Sequence, residues 1–179
     1  MNFEVKHLDT NIIMAAFFPS PSDINNDMHT NCLDFLNHIK SSEPNTKLRV
    51  SFTALGELLY KNLKRNTQEF KDGYEKLKEY IESIGNKRFE VYSPKLKGIP
   101  EKLGEVIEKI KATAGDQIVN SHADVLILTY AIVDGEASAL YTTDGMLLSS
   151  IPIKNVVEEF RRNNCMRKLS IKPINNHSN

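Results

Sequence analysis

Phe3-Glu4-Val5-Lys6-His7-Leu8-Asp9-Thr10-Asn11 reads as a short strand, and it runs directly into Ile12-Ile13-Met14-Ala15-Ala16-Phe17-Phe18 before Pro19 stops it. A strand that passes straight into a helix is the opening unit of an α/β sheet, in which ligands bind outside the carboxyl ends of the strands. Asp9, at that junction, faces the functional edge. A second segment of the same kind, Ala139-Leu140-Tyr141-Thr142-Thr143, delivers Asp144 ahead of Gly145. Two strands thus present carboxylates to one edge.

The residues between these segments continue the alternation. Beyond Pro19 and Pro21 a polar loop is expected, followed by Met28, Cys32, Phe35, Leu36 and Ile39 at helical spacing up to a turn at residues 41–45. Leu48-Arg49-Val50-Ser51-Phe52 alternates as a strand does, and Thr53 is a natural N-cap for Ala54-Leu55-Gly56-Glu57-Leu58-Leu59-Tyr60. Glu57 then lies one turn inside a helix. Phe70, Tyr74, Leu77, Ile81 and Ile84 form the apolar stripe of a long surface helix closed by Gly85-Asn86. Residues 88–92 supply another strand, and residues 101–134 two helices broken near Gly115, with Asp124 opening the apolar run Val125-Leu126-Ile127-Leu128. Ile153, Val156, Val157 and Phe160 predict a further helix and residues 168–172 a last edge strand. About five strands alternating with helices imply an α/β protein with a parallel sheet covered on both faces and right-handed crossovers.

A chain of 179 residues, 40% hydrophobic and 26% charged, suits a single domain, expected over residues 1–172 with a frayed polar tail at 173–179. The 23 basic and 23 acidic residues cancel, so no global field draws the protein to nucleic acid or membrane. A polyanion would have to be held by a local patch or by metal. Cys32 and Cys165 are isolated, which argues against a zinc ribbon, a redox motif or a disulfide framework. Glu4, Lys6, His7 and Asp9 interrupt any leader-like core, and no window approaches the roughly 18 apolar residues of a membrane span. A cytoplasmic protein with no membrane partner is expected.

Asp9, Glu57, Asp124 and Asp144 each have an ordinary explanation. Asp9 and Asp144 sit where helix caps belong, Asp124 follows Ser121 at capping-box spacing, and Glu57 is one charge on a helical face. What those explanations omit is that all four fall near one edge of the sheet. Carboxylates brought together repel, and they either raise their pKa values or recruit cations. Oxygen donors without His or Cys select Mg²⁺ or Mn²⁺, and such ions suit phosphodiester hydrolysis by an activated water, with one or two ions bound.

Leu8-Asp9-Thr10-Asn11-Ile12-Ile13, Glu57 in the helix after the second strand, His122-Ala123-Asp124-Val125-Leu126-Ile127-Leu128 and Thr142-Thr143-Asp144 together resemble a PIN domain, over about residues 4–172. The resemblance implies a three-layer α/β/α sandwich with a central parallel sheet and a metal-dependent nuclease acting on RNA. It assigns metal binding and catalysis to Asp9, Glu57, Asp124 and Asp144, with Asn11 and Thr142 as supporting polar groups behind them. Gly145 and Met146 stand where many relatives carry a fifth acid. Asp116 reads as a helix cap and Asn120 as a distant support, and His122 is not required as a base where metal supplies the hydroxide. A haloacid-dehalogenase-type phosphatase is set aside, because Asn11 cannot donate the proton its second Asp supplies.

A single-stranded RNA substrate calls for cations beside the acids. Lys61, Lys64 and Arg65, on the helix of Glu57, are the best placed; Lys95 and Lys97, and Arg161, Arg162, Arg167 and Lys168, form two other groups. Two settings follow from the resemblance: the toxin of a toxin-antitoxin pair, with an antitoxin covering the cleft, or an RNA-processing nuclease with its own partner. A homodimer is compatible with either. The alternative from another class is a non-catalytic PIN-fold module that binds RNA or protein.

Overall fold

The computed structural model describes residues 3–63, 67–94, 99–118 and 122–174, without the side chains of residues 67, 99, 100 and 114–118. Its elements are β1 (Glu4–Leu8), α1 (Thr10–Phe17), α2 (Pro21–Asn25), α3 (Met28–Ser42), β2 (Thr46–Ser51), α4 (Phe52–Asn62), α5 (Thr67–Ile84), β3 (Phe89–Tyr92), α6 (Ile99–Ile118), α7 (His122–Val133), β4 (Ala137–Tyr141), α8 (Gly145–Ser149), α9 (Ile151–Asn163) and β5 (Ser170–Lys172). The strands form one all-parallel sheet in the order β3-β2-β1-β4-β5. From β1 the chain winds outward through β2 to β3, then crosses back to β4 and continues to β5. In a sheet wound outward both ways from its centre, the helices of the two halves fall on opposite faces. Accordingly α1 packs with α3 and α5, while α6, α7 and α9 pack with one another, and α4 reaches both α1 and α7.

The central strands β1, β2 and β4 are buried almost throughout, as strands covered on both faces must be, whereas β3 and β5 at the edges are half-exposed. The core lies between the sheet and each helical layer, around residues such as Leu8, Ile12, Leu48, Leu128, Ile132, Leu140 and Phe160. Among the described residues no helix is long and apolar enough to cross a membrane.

Several local expectations are corrected. Residues 21–25 form the short helix α2 instead of a loop, because Ser20 and Asp23 close a reciprocal capping box and Pro21 opens the first turn. Ser51, not Thr53, caps α4: its hydroxyl accepts the Ala54 N–H at 3.0 Å, so the strand passes into the helix without a loop residue. Gly115 lies inside α6, which runs to Ile118, rather than at a break; residues 119–121, Asn120 and Ser121 among them, and the Asp116 side chain are outside the described residues. On α5 the buried face uses Gly73 and Tyr80 and leaves Tyr74 exposed. The close approach explains this, since a Cβ on Gly73 would meet Phe18 Cε1 and the Phe17 carbonyl oxygen, both at 2.6 Å. Residues 175–179 of the expected tail are outside the described residues.

Candidate active site at the switch of the sheet

Between β1 and β4 the winding direction reverses, which is the switch point where open α/β sheets place their ligands. Asp9 follows β1 and Thr142 follows β4, and the Asp9 N–H donates to the Tyr141 carbonyl at 2.9 Å, so the pairing continues one residue past the strand. Asp9 occupies the N-cap position of α1, yet its carboxylate closes no capping hydrogen bond there. Instead it accepts the Thr142 hydroxyl at 2.6 Å, and both side chains are buried. Burial raises the Asp9 pKa to about 6; the neighbouring charges of Asp124 and Glu57 push the same way, against the stabilising Thr142 hydroxyl and Asn11 backbone N–H. Three of the four expected acids thus act on one another at this edge.

The remaining geometry shows what the side chains do with their charge. Glu57 stands on α4 with Oε1 2.7 Å from the Lys61 ammonium, while Oε2 is buried without a hydrogen-bond partner. Asp124 lies in the first turn of α7, half-buried. Asp144 behaves as its ordinary explanation foretells: Oδ1 accepts the Met146 N–H at 2.7 Å and the Leu147 N–H at 3.4 Å, capping α8. Thr142 serves two masters, since its hydroxyl also accepts the Asp144 N–H at 3.0 Å. Asn11 meets Asp9 through its backbone N–H, while its side-chain amide oxygen accepts Lys61 at 3.3 Å. Among the described residues no three His, Cys, Asp or Glu side chains converge closely enough to hold a metal ion as they stand. Asp9, Glu57 and Asp144 are met by the Thr142 hydroxyl, the Lys61 ammonium and the first turn of α8 respectively.

Of the expected cations, Lys61 is at the site, and Lys64, Arg65, Lys95 and Lys97 lie outside the described residues. Arg161 is corrected. It is 2% exposed and donates to the carbonyls of Ile132, Asp134 and Ala137, so it closes the end of α7 and cannot meet RNA. On the outer side of α4, next to Glu57, the exposed apolar residues Phe52, Leu59, Tyr60 and Leu63 form a stripe that the sequence reading did not isolate. Its signal was present as an apolar excess in the helix, which only the packing resolves into buried and exposed faces.

No family model matches the chain, and no curated protein matches it. A chain in the solved structure of VapBC2 from Rickettsia felis, bound to a DNA fragment from their promoter, is similar at a TM-score of 0.58 and 19% sequence identity, over 96% of this chain and 99% of that chain. The fold is that of PIN domains. In this PIN fold the four acids lie at the sheet's carboxyl edge, on β1–α1, α4, α7 and β4–α8 respectively.

Proposed function

We propose that this chain is a Mg²⁺- or Mn²⁺-dependent endoribonuclease that hydrolyses single-stranded or looped RNA. The observation that carries the reading is Asp9, a buried carboxylate at the switch point whose pKa is raised towards neutrality beside Asp124 and Glu57. Such a group has an unmet demand for positive charge, and the buried, unpartnered Oε2 of Glu57 has the same demand. The all-oxygen set fits a hard divalent cation. Asp9, Glu57 and Asp124 would hold it, and Asp144 would add its second oxygen while Oδ1 stays on α8.

A divalent cation held there supplies an activated water and neutralises charge on the phosphate. The chain's own residues do the rest. Thr142 fixes the Asp9 carboxylate and, through the Asp144 N–H, sets the start of α8 relative to it. No side chain acts as a covalent nucleophile. The likeness to a VapBC2 complex supports a toxin-antitoxin setting in the cytoplasm, in which a protein partner covers the apolar stripe of Phe52, Leu59, Tyr60 and Leu63 beside the site.

The test is cleavage of end-labelled single-stranded RNA with Mg²⁺ or Mn²⁺, with EDTA as control and Asp9→Asn prepared in parallel. Metal-dependent cutting that is lost in the variant supports the nuclease. A second reading, the non-catalytic module, is favoured by one observation: Lys61 already neutralises Glu57. A folded protein with no Mn²⁺ binding and no cutting would establish that reading instead.

A further inference from the structure

Lys61 follows Glu57 by one helical turn, and its ammonium reaches both Glu57 Oε1 at 2.7 Å and Asn11 Oδ1 on α1 at 3.3 Å. It therefore spans two of the elements that flank the acids. The pair is asymmetric: the Glu57 side chain is 14% exposed and the Lys61 side chain 39%. One half is anchored in the cleft and the other is free to leave. Glu57 is also only half satisfied, because Oε2 has no partner. Pairs of this exposure are weak. An ammonium is a single charge on a flexible stem, strongly hydrated and with rotatable donors. A divalent cation outcompetes it at a carboxylate, and the phosphate oxygens of a nucleic acid are the natural acceptors for the charge so displaced.

We infer that Lys61 is an exchangeable counter-ion of the site, which neutralises Glu57 in the absence of a divalent cation and, once displaced, passes to a phosphate of the RNA strand. The inference rests on the metal-dependent reading above and adds a competition between a side chain and the ion. Two consequences follow from that competition. Metal binding releases the ammonium for RNA, and RNA, by engaging the ammonium, clears Glu57 for metal, so the two ligands assist each other's binding to the same extent. Removing the ammonium must then tighten metal, weaken RNA and abolish this mutual assistance; loss of any positive charge beside the site would do the first two, and only an exchanging one the third.

The experiment measures Mn²⁺ affinity of the full chain by calorimetry, with the free ion followed by electron paramagnetic resonance, for the unaltered protein, Lys61→Met, Lys61→Arg and Glu57→Gln. Single-stranded RNA affinity is measured over a salt series in EDTA and, by rapid mixing ahead of cleavage, in saturating Mn²⁺. Lys61→Met is expected to bind Mn²⁺ on the order of threefold to tenfold more tightly, because a positive charge beside the ion is gone. In Mn²⁺ the same variant should bind RNA several-fold more weakly, with a salt slope shallower by about 0.7. In EDTA, where Glu57 holds the ammonium, the deficit should be smaller, and an equal deficit in both conditions overturns the exchange. Lys61→Arg, which keeps the charge, should stay near the unaltered protein in both. Equal or weaker Mn²⁺ binding by Lys61→Met, with the unaltered protein binding and Glu57→Gln impaired, overturns the exchange and leaves the metal site standing. Failure of the unaltered protein to bind Mn²⁺ at all, with Glu57→Gln indistinguishable from it, overturns the metal reading and this inference together.

Discussion

Asp9→Asn should make the metal-free protein more stable, although it removes the residue on which the proposed chemistry depends. The Asp9 carboxyl is buried, and its pKa rises from 3.8 to about 6. At 1.36 kcal/mol per pH unit, that displacement amounts to about 3 kcal/mol of stability lost when the folded protein holds Asp9 ionised. Because the folded pKa lies above the unfolded one, the cost is present in full above about pH 6, shrinks as the pH falls and vanishes below 3.8. Asparagine keeps an oxygen to accept the Thr142 hydroxyl, so the hydrogen bond is preserved while the charge is lost. In EDTA at pH 7.5 the variant is expected to gain about 2 to 3 kcal/mol, or roughly 5 to 10 °C in Tm for a chain of this size. The gap should close as both proteins are unfolded by urea at successively lower pH towards 4. Saturating Mn²⁺ should reverse the order, since only the unaltered protein then gains binding energy in the folded state. A variant that is less stable in EDTA at pH 7.5, or a gap that does not narrow with acid, would refute the account of Asp9 as a strained carboxylate.

Gly73→Ala would raise intrinsic helix propensity by about 1 kcal/mol in open solvent, yet here its methyl would collide with Phe18 and the Phe17 carbonyl, so a net loss of about 1 to 3 kcal/mol is expected in thermal melts. Ser51→Ala should cost about 1 kcal/mol through loss of the cap on α4, whereas Thr53→Ala, at a helical position that donates no cap, should lie within about 0.5 kcal/mol of zero in the same urea titrations. Arg161→Met should destabilise by about 3 kcal/mol or more, because it strands the carbonyls of Ile132, Asp134 and Ala137, and equilibrium denaturation would show it as a lower midpoint.

The sheet was readable because its strands obey a local rule: short apolar runs, each passing into a helix, leave few alternatives to parallel winding. The adjacency of Asp9 and Thr142 was readable for the same reason, since both are fixed at strand ends by backbone pairing alone. The charge relations were not. Whether Asp144 caps a helix or faces its fellow acids depends on α8, a five-residue element with no periodicity long enough to detect. Lys61 and Asn11 meet although they lie 50 positions apart, a relation that no spacing rule encodes. Likewise the role of Gly73 comes only from the ring of Phe18, at the end of another element.

Buried charge elsewhere ties α7, the helix that carries Asp124, to the sheet. His7 and Arg49 are register partners on β1 and β2, and both reach Asp134, just past the end of α7. His7 Nε2 bonds Asp134 Oδ2 at 2.7 Å, and Arg49 Nη1 donates to both carboxylate oxygens at 2.9 and 2.7 Å. Burial lowers the His7 pKa despite the Asp134 carboxylate, so a neutral imidazole serves as donor. Arg49 extends the link to Glu90 on β3 and to Glu136 ahead of β4, at 2.6 Å in the latter case. Removing one member would leave the others buried and uncompensated, which makes the network a stiff joint between α7 and the sheet. Asp9, one residue past β1, is two positions from His7 and so falls on the same side of the extended chain, and Asp124 lies ten residues before Asp134, just past α7, about 15 Å at 1.5 Å per residue. The joint at one end of α7 therefore sets where Asp124 stands relative to Asp9 at the other. Repulsion at the edge cannot spread the acids apart by rotating the helix, because that motion would break the buried charge pairs behind it.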